Sequence, residues 1–205
     1  MTSLLDHSAA YKVLRADPAM KAIIKKTGTI EQRKIDKDIY GSLLRSITGQ
    51  QLSVKAAATI HQRFLDVFPK RKPHPETLLS LPLETLRGAG LSMQKSQYLK
   101  SVAEHALAGE LDFKTLNKLE DEALISHFTR IKGIGVWSAQ MVMMFALQRP
   151  DVFPTGDLGI QQSMKSQYCI RKEGKQLMKT MEDIAVDWRP FRTLACLHLW
   201  AVKDL

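Results

Sequence analysis

Cysteine is nearly absent: Cys169 and Cys196 are the only 2 in 205 residues. That is too few for a thiolate zinc or iron–sulfur site or a disulfide framework, so both are expected as small core residues. The 6 histidines are scattered, with no HExxH and no paired ligand spacing, and no metal site is expected. Long apolar runs are missing as well. The longest, Met141 to Leu147, falls far short of the roughly 18 residues a membrane span needs. The start of the chain, with Asp6 and His7, lacks the basic opening and apolar stretch of a secretory leader, so an intracellular protein is expected. Strand signals are weak, because apolar residues recur at i, i+3, i+4 rather than in alternation. Acidic residues are the minority, 21 Asp+Glu against 30 Lys+Arg, for a net charge of +9. Such a balance favours a polyanionic partner. With 44% hydrophobic and 25% charged residues the chain can bury a core, which excludes disorder and leaves room for one domain or two small ones.

What is present reads as all-α. Asp17-Pro18 is a cap followed by proline at a first helical position, and Gly28 stops that helix. Asp38 opens a second helix, to about Thr48, with Ile39, Leu43, Leu44 and Ile47 in one stripe; Ser53 caps a third, to about Val67. Between them lies the turn Gly49-Gln50-Gln51-Leu52. Pro69 to Pro75, with Lys70, Arg71 and Lys72, reads as a solvated basic loop. Further helices are expected near Thr77 to Leu86, Ser92 to Ala108, Glu120 to Arg130 and Leu158 to Tyr168. Met141, Met143, Met144 and Met164 read as core filler.

Two GxG turns interrupt this helical pattern. In Ile131-Lys-Gly-Ile-Gly-Val136, Gly133 and Gly135 permit positive φ and close backbone approach, and amides at the start of the next helix favour an anion. Lys132 adds charge. A ligand-free turn between helices has the same requirements, so the spacing alone leaves both readings open. Gly88-Ala-Gly90, with Ser92 and Lys95 beyond it, offers a second, weaker phosphate site. His198 reads as a satisfied core histidine, while Arg189 and Arg192 could pair with buried acids or contact DNA.

The segment Ile131-Lys-Gly-Ile-Gly-Val-Trp-Ser-Ala139, followed by Asp157 in Phe153-Pro-Thr-Gly-Asp-Leu158, resembles the helix-hairpin-helix DNA glycosylases. Ser46-Ile-Thr-Gly-Gln-Gln-Leu-Ser53, Trp188-Arg-Pro-Phe-Arg-Thr193 and Leu197-His-Leu-Trp200 bring the resemblance to the 3-methyladenine, alkylation-repair type. The matches run from about residue 40 to 202. The resemblance implies two helical subdomains, approximately 38–150 bearing the hairpin and 1–37 plus 151–205, with a DNA-binding cleft that Asp157 and Trp137 face.

On that resemblance Asp157 is the expected catalytic residue, an ionised carboxylate beside the positive charge that builds on a sugar as its N-glycosidic bond breaks. It also has the position of an ordinary N-cap. Trp137 stands where glycosylases that also cut the backbone carry a nucleophilic lysine, so no Schiff base and no lyase step are expected. Trp137 and Trp200 would offer flat surfaces to an extruded, cationic base; core packing is the alternative for each. Gln51 and Leu52 match the minor-groove wedge, although Gln50 as a helix cap over a buried Leu52 fits the spacing equally. Lys132, Gly133, Gly135 and Ser138 would hold phosphate. The expected activity is hydrolysis of alkylated purines such as 3-methyladenine from double-stranded DNA by a monomer that needs no metal and no small-molecule cofactor. The competing reading is a helix-hairpin-helix module that binds DNA without chemistry.

Overall fold

The computed structural model describes residues 7–30, 37–203 and 205. Residues 1–6 and 31–36, part of the expected 1–37 segment, lie outside it. The described residues contain thirteen α-helices, two 3-10 turns (Pro69–Arg71 and Val186–Trp188) and no strand. In chain order the helices are α1 (His7–Leu14), α2 (Pro18–Thr27), α3 (Ile39–Gly49), α4 (Val54–Asp66), α5 (Pro75–Ser80), α6 (Leu83–Gly88), α7 (Met93–Leu107), α8 (Phe113–Leu116), α9 (Asp121–Thr129), α10 (Val136–Phe145), α11 (Leu158–Gln167), α12 (Gly174–Ala185) and α13 (Arg192–Lys203). The protein is all-α. None of these helices is long and apolar enough to cross a membrane.

Capping residues set many of the boundaries. Asp17 Oδ1 accepts from the amides of Ala19 (2.8 Å) and Met20 (3.2 Å), Pro18 occupies the first turn of α2, and Gly28 at φ 70° ends it. Asp38 caps α3, Ser53 caps α4, Ser92 caps α7 and Asp112 caps α8, each carboxylate or hydroxyl taking an otherwise orphaned amide. The stripe Ile39, Leu43, Leu44 and Ile47 is fully buried. The single helix expected near Thr77 to Leu86 is two, α5 and α6. Pro82 has no amide to donate and holds Leu81 extended at ψ 138°, so the helical run cannot pass.

The chain divides into two compact units. One comprises residues 36–142; the other joins the described part of 1–35 to 143–205, so the chain passes between them within α10. In the 36–142 unit α3 packs on α4 and α7, and α5 and α6 also pack on α7. Phe64, Leu99 and Phe128 lie at its core. In the other unit α13 packs on both α2 and α11. Its core includes Met20, Met164, Trp188 and Leu199, with Met143 and Met144 also buried.

Within this second unit Asp17 ties distant segments together. Its Oδ2 accepts from the Tyr168 hydroxyl (2.7 Å) and from Trp188 Nε1 (2.9 Å). His198 is buried, its Nδ1 2.6 Å from Thr27 Oγ1. Thr27 Oγ1 also lies within hydrogen-bond distance of Ile23 O, at 3.1 Å. Burial, with the nearby Arg15 charge second, pushes the His198 pKa down to about 4. Arg192 is turned inward and grips Asp151 through Nε (2.6 Å) and Nη2 (2.9 Å), while Arg189 stays exposed and reaches the same carboxylate through Nη1 at 3.0 Å. Cys196 is buried as expected, but Cys169 is exposed. It follows the Tyr168 cap of α11 at φ 53°, in a turn that has left the core.

Candidate functional site

Asp157 stands at the N-terminus of α11. The loop before it is pinned at both ends: Phe153 and Pro154 are buried, Asp157 N donates to Pro154 O at 2.9 Å, and Gln161 Nε2 donates to Thr155 O at 2.7 Å. Asp157 Oδ1 accepts from the Ile160 amide, the cap bond of α11, and from Trp200 Nε1, both at 2.9 Å. The carboxylate is half-buried. The capping and catalytic readings of Asp157 therefore describe one geometry, in which the cap bond fixes the orientation of the group.

Trp200 is placed by α13, which is tied to α11 through the Ser163 hydroxyl and Leu199 O (2.5 Å). Its indole is neither simple core filler nor open surface. One edge donates to Asp157 while the ring stacks on Phe145, with centroids 5.9 Å apart and planes at 26°. Phe145 is 40% exposed, so a carboxylate and a flat aromatic platform stand side by side. Gly159 makes this possible, since a Cβ there would lie 3.0 Å from Trp200 Cδ1 and 3.1 Å from Asp157 Oδ1. Neither Phe145 nor Gly159 falls in a motif that marks it in the sequence. A glycine in the first turn of a helix, two residues after an aspartate cap, was the available signal of close approach.

In the 36–142 unit a hairpin joins α9 to α10. Ile131 and Ile134 are buried and anchor it, Ile134 N donates to Ile131 O at 3.0 Å, and Lys132 between them is exposed. Gly133 has φ 88°, and a Cβ there would strike the Tyr98 ring of α7. Only the first glycine of this GxG uses the left-handed region; Gly135 does not, and serves as the residue whose carbonyl starts α10, accepting from Ala139 N at 3.0 Å. The first turn of α10 thus presents amides that precede the helix's own bonds. Ser138 differs from expectation. The residue is only 3% exposed, so its hydroxyl is interior rather than open to a phosphate. Trp137, 42% exposed, projects from the same turn.

The turn after α3 has Gln50 as its cap and Gln51 at φ 60°. Leu52 is not buried beneath it but 40% exposed. Gln50 Nε2 donates to Gly133 O at 2.9 Å, linking this turn to the hairpin. Lys95 Nζ donates to Thr48 O (3.2 Å) and Gln50 O (2.8 Å). The second phosphate site expected at Gly88 to Lys95 is therefore not formed: the Lys95 ammonium is spent on α3 carbonyls and Ser92 Oγ on the Lys95 amide. Lys70, Arg71 and Lys72 are exposed, as a solvated loop should be. Among the described residues no group of three or more His, Cys, Asp or Glu is placed to hold a metal ion.

Comparison with known proteins agrees with this geometry. Residues 44–190 match the family described as HhH-GPD superfamily base excision DNA repair protein. The chain is 33% identical over 195 residues to DNA-3-methyladenine glycosylase 1 of Schizosaccharomyces pombe, covering 92% of this chain and 84% of that one. It spans only 59% of the length of a Bacillus subtilis relative to which it is 32% identical over 173 residues. Among solved structures, the Schizosaccharomyces pombe 3-methyladenine DNA glycosylase in complex with abasic DNA superposes with a TM-score of 0.88 at 32% identity, over 96% of this chain and 97% of that one. A DNA-3-methyladenine glycosidase from Bacillus halodurans gives 0.82 at 36% identity, over 97% and 90%. The helices, the hairpin and the match across residues 44–190 agree, and the chain belongs to the HhH-GPD superfamily of base excision DNA repair proteins.

Proposed function

We propose that this protein is a monofunctional DNA glycosylase. It extrudes an alkylated purine such as 3-methyladenine from duplex DNA, hydrolyses its bond to deoxyribose and leaves an abasic site. The observation that carries this reading is the Asp157 carboxylate, oriented by the Ile160 amide and the Trp200 indole beside the Phe145–Trp200 platform. A purine methylated at a ring nitrogen is cationic and already a good leaving group. The enzyme then has two tasks: to hold the extruded ring on an aromatic face, where a cation gains ~0.5 to 2 kcal/mol, and to stabilise the oxocarbenium-like sugar with a fixed negative charge. Trp137 presents a further aromatic surface and no amine, so the sugar is not captured as a Schiff base and strand cleavage is not part of the reaction.

DNA is gripped by the hairpin and opened by the turn after α3. Lys132 and the first-turn amides of α10 serve phosphate, while Gln51 and Leu52 fill the gap left by the base and offset part of the unstacking cost. We infer that the protein acts as a monomer and inside the cell, where its substrate is. The test is release of bases from methylated duplex DNA, separated by chromatography, with the strands run on a gel with and without alkali. Free 3-methyladenine, with breaks only after alkali, is the expected result. Tight binding with no released base would leave only the binding module, and breaks before alkali would restore a lyase step.

A further inference from the structure

Resting on that glycosylase reading, we propose that Lys95 and Gln50 are positioning residues that hold the Gln51–Leu52 wedge preformed and at a fixed distance from the phosphate-binding hairpin. Helix α7 acts as the common mount. Lys95 reaches back from its first turn to two carbonyls at the C-terminal end of α3, Thr48 O and that of the cap residue Gln50, at 3.2 and 2.8 Å. Tyr98, one turn further along α7, is the surface on which Gly133 of the hairpin lies. Gln50 closes the triangle, its Nε2 2.9 Å from Gly133 O across 83 positions of sequence. Every one of these residues lies within the 36–142 unit.

The chemistry fits a brace better than a ligand site. The carbonyls at a helix C-terminus carry partial negative charge and lack intrahelical donors, so an ammonium placed there satisfies two of them at once. Burial lowers the Lys95 pKa, a cost that a lysine meant only for solvent or for phosphate would not incur. With its carbonyls clamped, the turn can keep Gln51 at φ 60° and leave the Gln51 and Leu52 side chains projecting. A wedge already in shape loses less conformational freedom when it enters the groove.

The readout must separate positioning from mere stability. An oligonucleotide containing one adenine is treated with dimethyl sulfate and annealed either to a full complement or to one mismatched around that adenine. Unstacking is costly only in the first, so the wedge matters chiefly there. Under single-turnover conditions Lys95→Met is expected to release 3-methyladenine about tenfold more slowly from the matched duplex while staying within about twofold of wild type on the mismatched one; Lys95→Arg recovers part of the loss. Gln50→Leu, which keeps the lysine, is expected to behave like Lys95→Met and stands in for it if that variant does not fold. An equal loss on both substrates, or none on the matched duplex, overturns the proposal. Wild-type protein that releases base from neither substrate overturns the glycosylase reading instead, and the positioning role with it.

Discussion

At the scale of single residues the carboxylate and its supports separate cleanly. Asp157→Asn keeps the shape of the cap but removes the charge, so excision is expected to be lost with DNA affinity largely retained; wild-type rates in the variant would remove Asp157 from the chemistry. Trp200→Phe deletes one N–H donor from Oδ1. It is expected to slow excision while costing about 1 kcal/mol of stability, the usual net worth of one hydrogen bond. Gly159→Ala makes the opposite trade. Alanine gains roughly 1 kcal/mol of helix propensity, yet its Cβ must displace Trp200 by a few tenths of an ångström. A thermal midpoint held or raised, with a lower single-turnover rate, is the expected pair of results, and a fall in stability without a change in rate would show that Gly159 is there for packing alone. Lys132 is tested by salt: if it neutralises one phosphate, Lys132→Ala lowers the slope of log affinity against log salt by about 1.

At the scale of elements, what the sequence made legible is what depends on near neighbours. Asp17 with Pro18, Asp38, Ser53, Ser92 and the stripe of α3 announce their helices because caps and i, i+3, i+4 spacing are local. Pro82 is an equally local stop signal, masked by the strong apolar pattern around it. Long-range partnerships were not legible: nothing near Lys95 shows that its ammonium turns to α3, and nothing near Ser138 marks its hydroxyl as interior. Asp17 is the sharpest case, a cap that also receives Tyr168 and Trp188 from far along the chain. Burial first, then the bond to Asp17 and its negative charge, raise the Tyr168 pKa. Asp17→Ala removes the cap of α2 and strands two donors, so a loss of about 3 kcal/mol is expected in urea unfolding. A loss below about 1 kcal/mol would mean that the cap alone matters.

For the whole molecule, acid is a predictable weakness. The His198 pKa in the folded state is about 4, below its ordinary 6.5. The unfolded chain therefore takes up a proton that the folded one refuses, and the stability held above pH 6.5 is lost as pH falls from there toward 4, at up to about 1.4 kcal/mol per pH unit. Carboxylates add their own loss at the acid end, so the measurement is the difference between wild type and His198→Gln. The variant is expected to show the shallower decline between pH 6.5 and 4.5, and parallel curves would remove His198 from the account. The two-part construction of the second unit also has a consequence in time. On the ribosome α2, with its apolar face of Met20, Ile23 and Ile24, emerges long before α13, the helix it packs against. At usual synthesis rates the delay is on the order of ten seconds. For that interval the 36–142 unit can fold alone while the opening helices wait with their greasy side bare, which makes the nascent chain, rather than the finished enzyme, the form most in need of a chaperone.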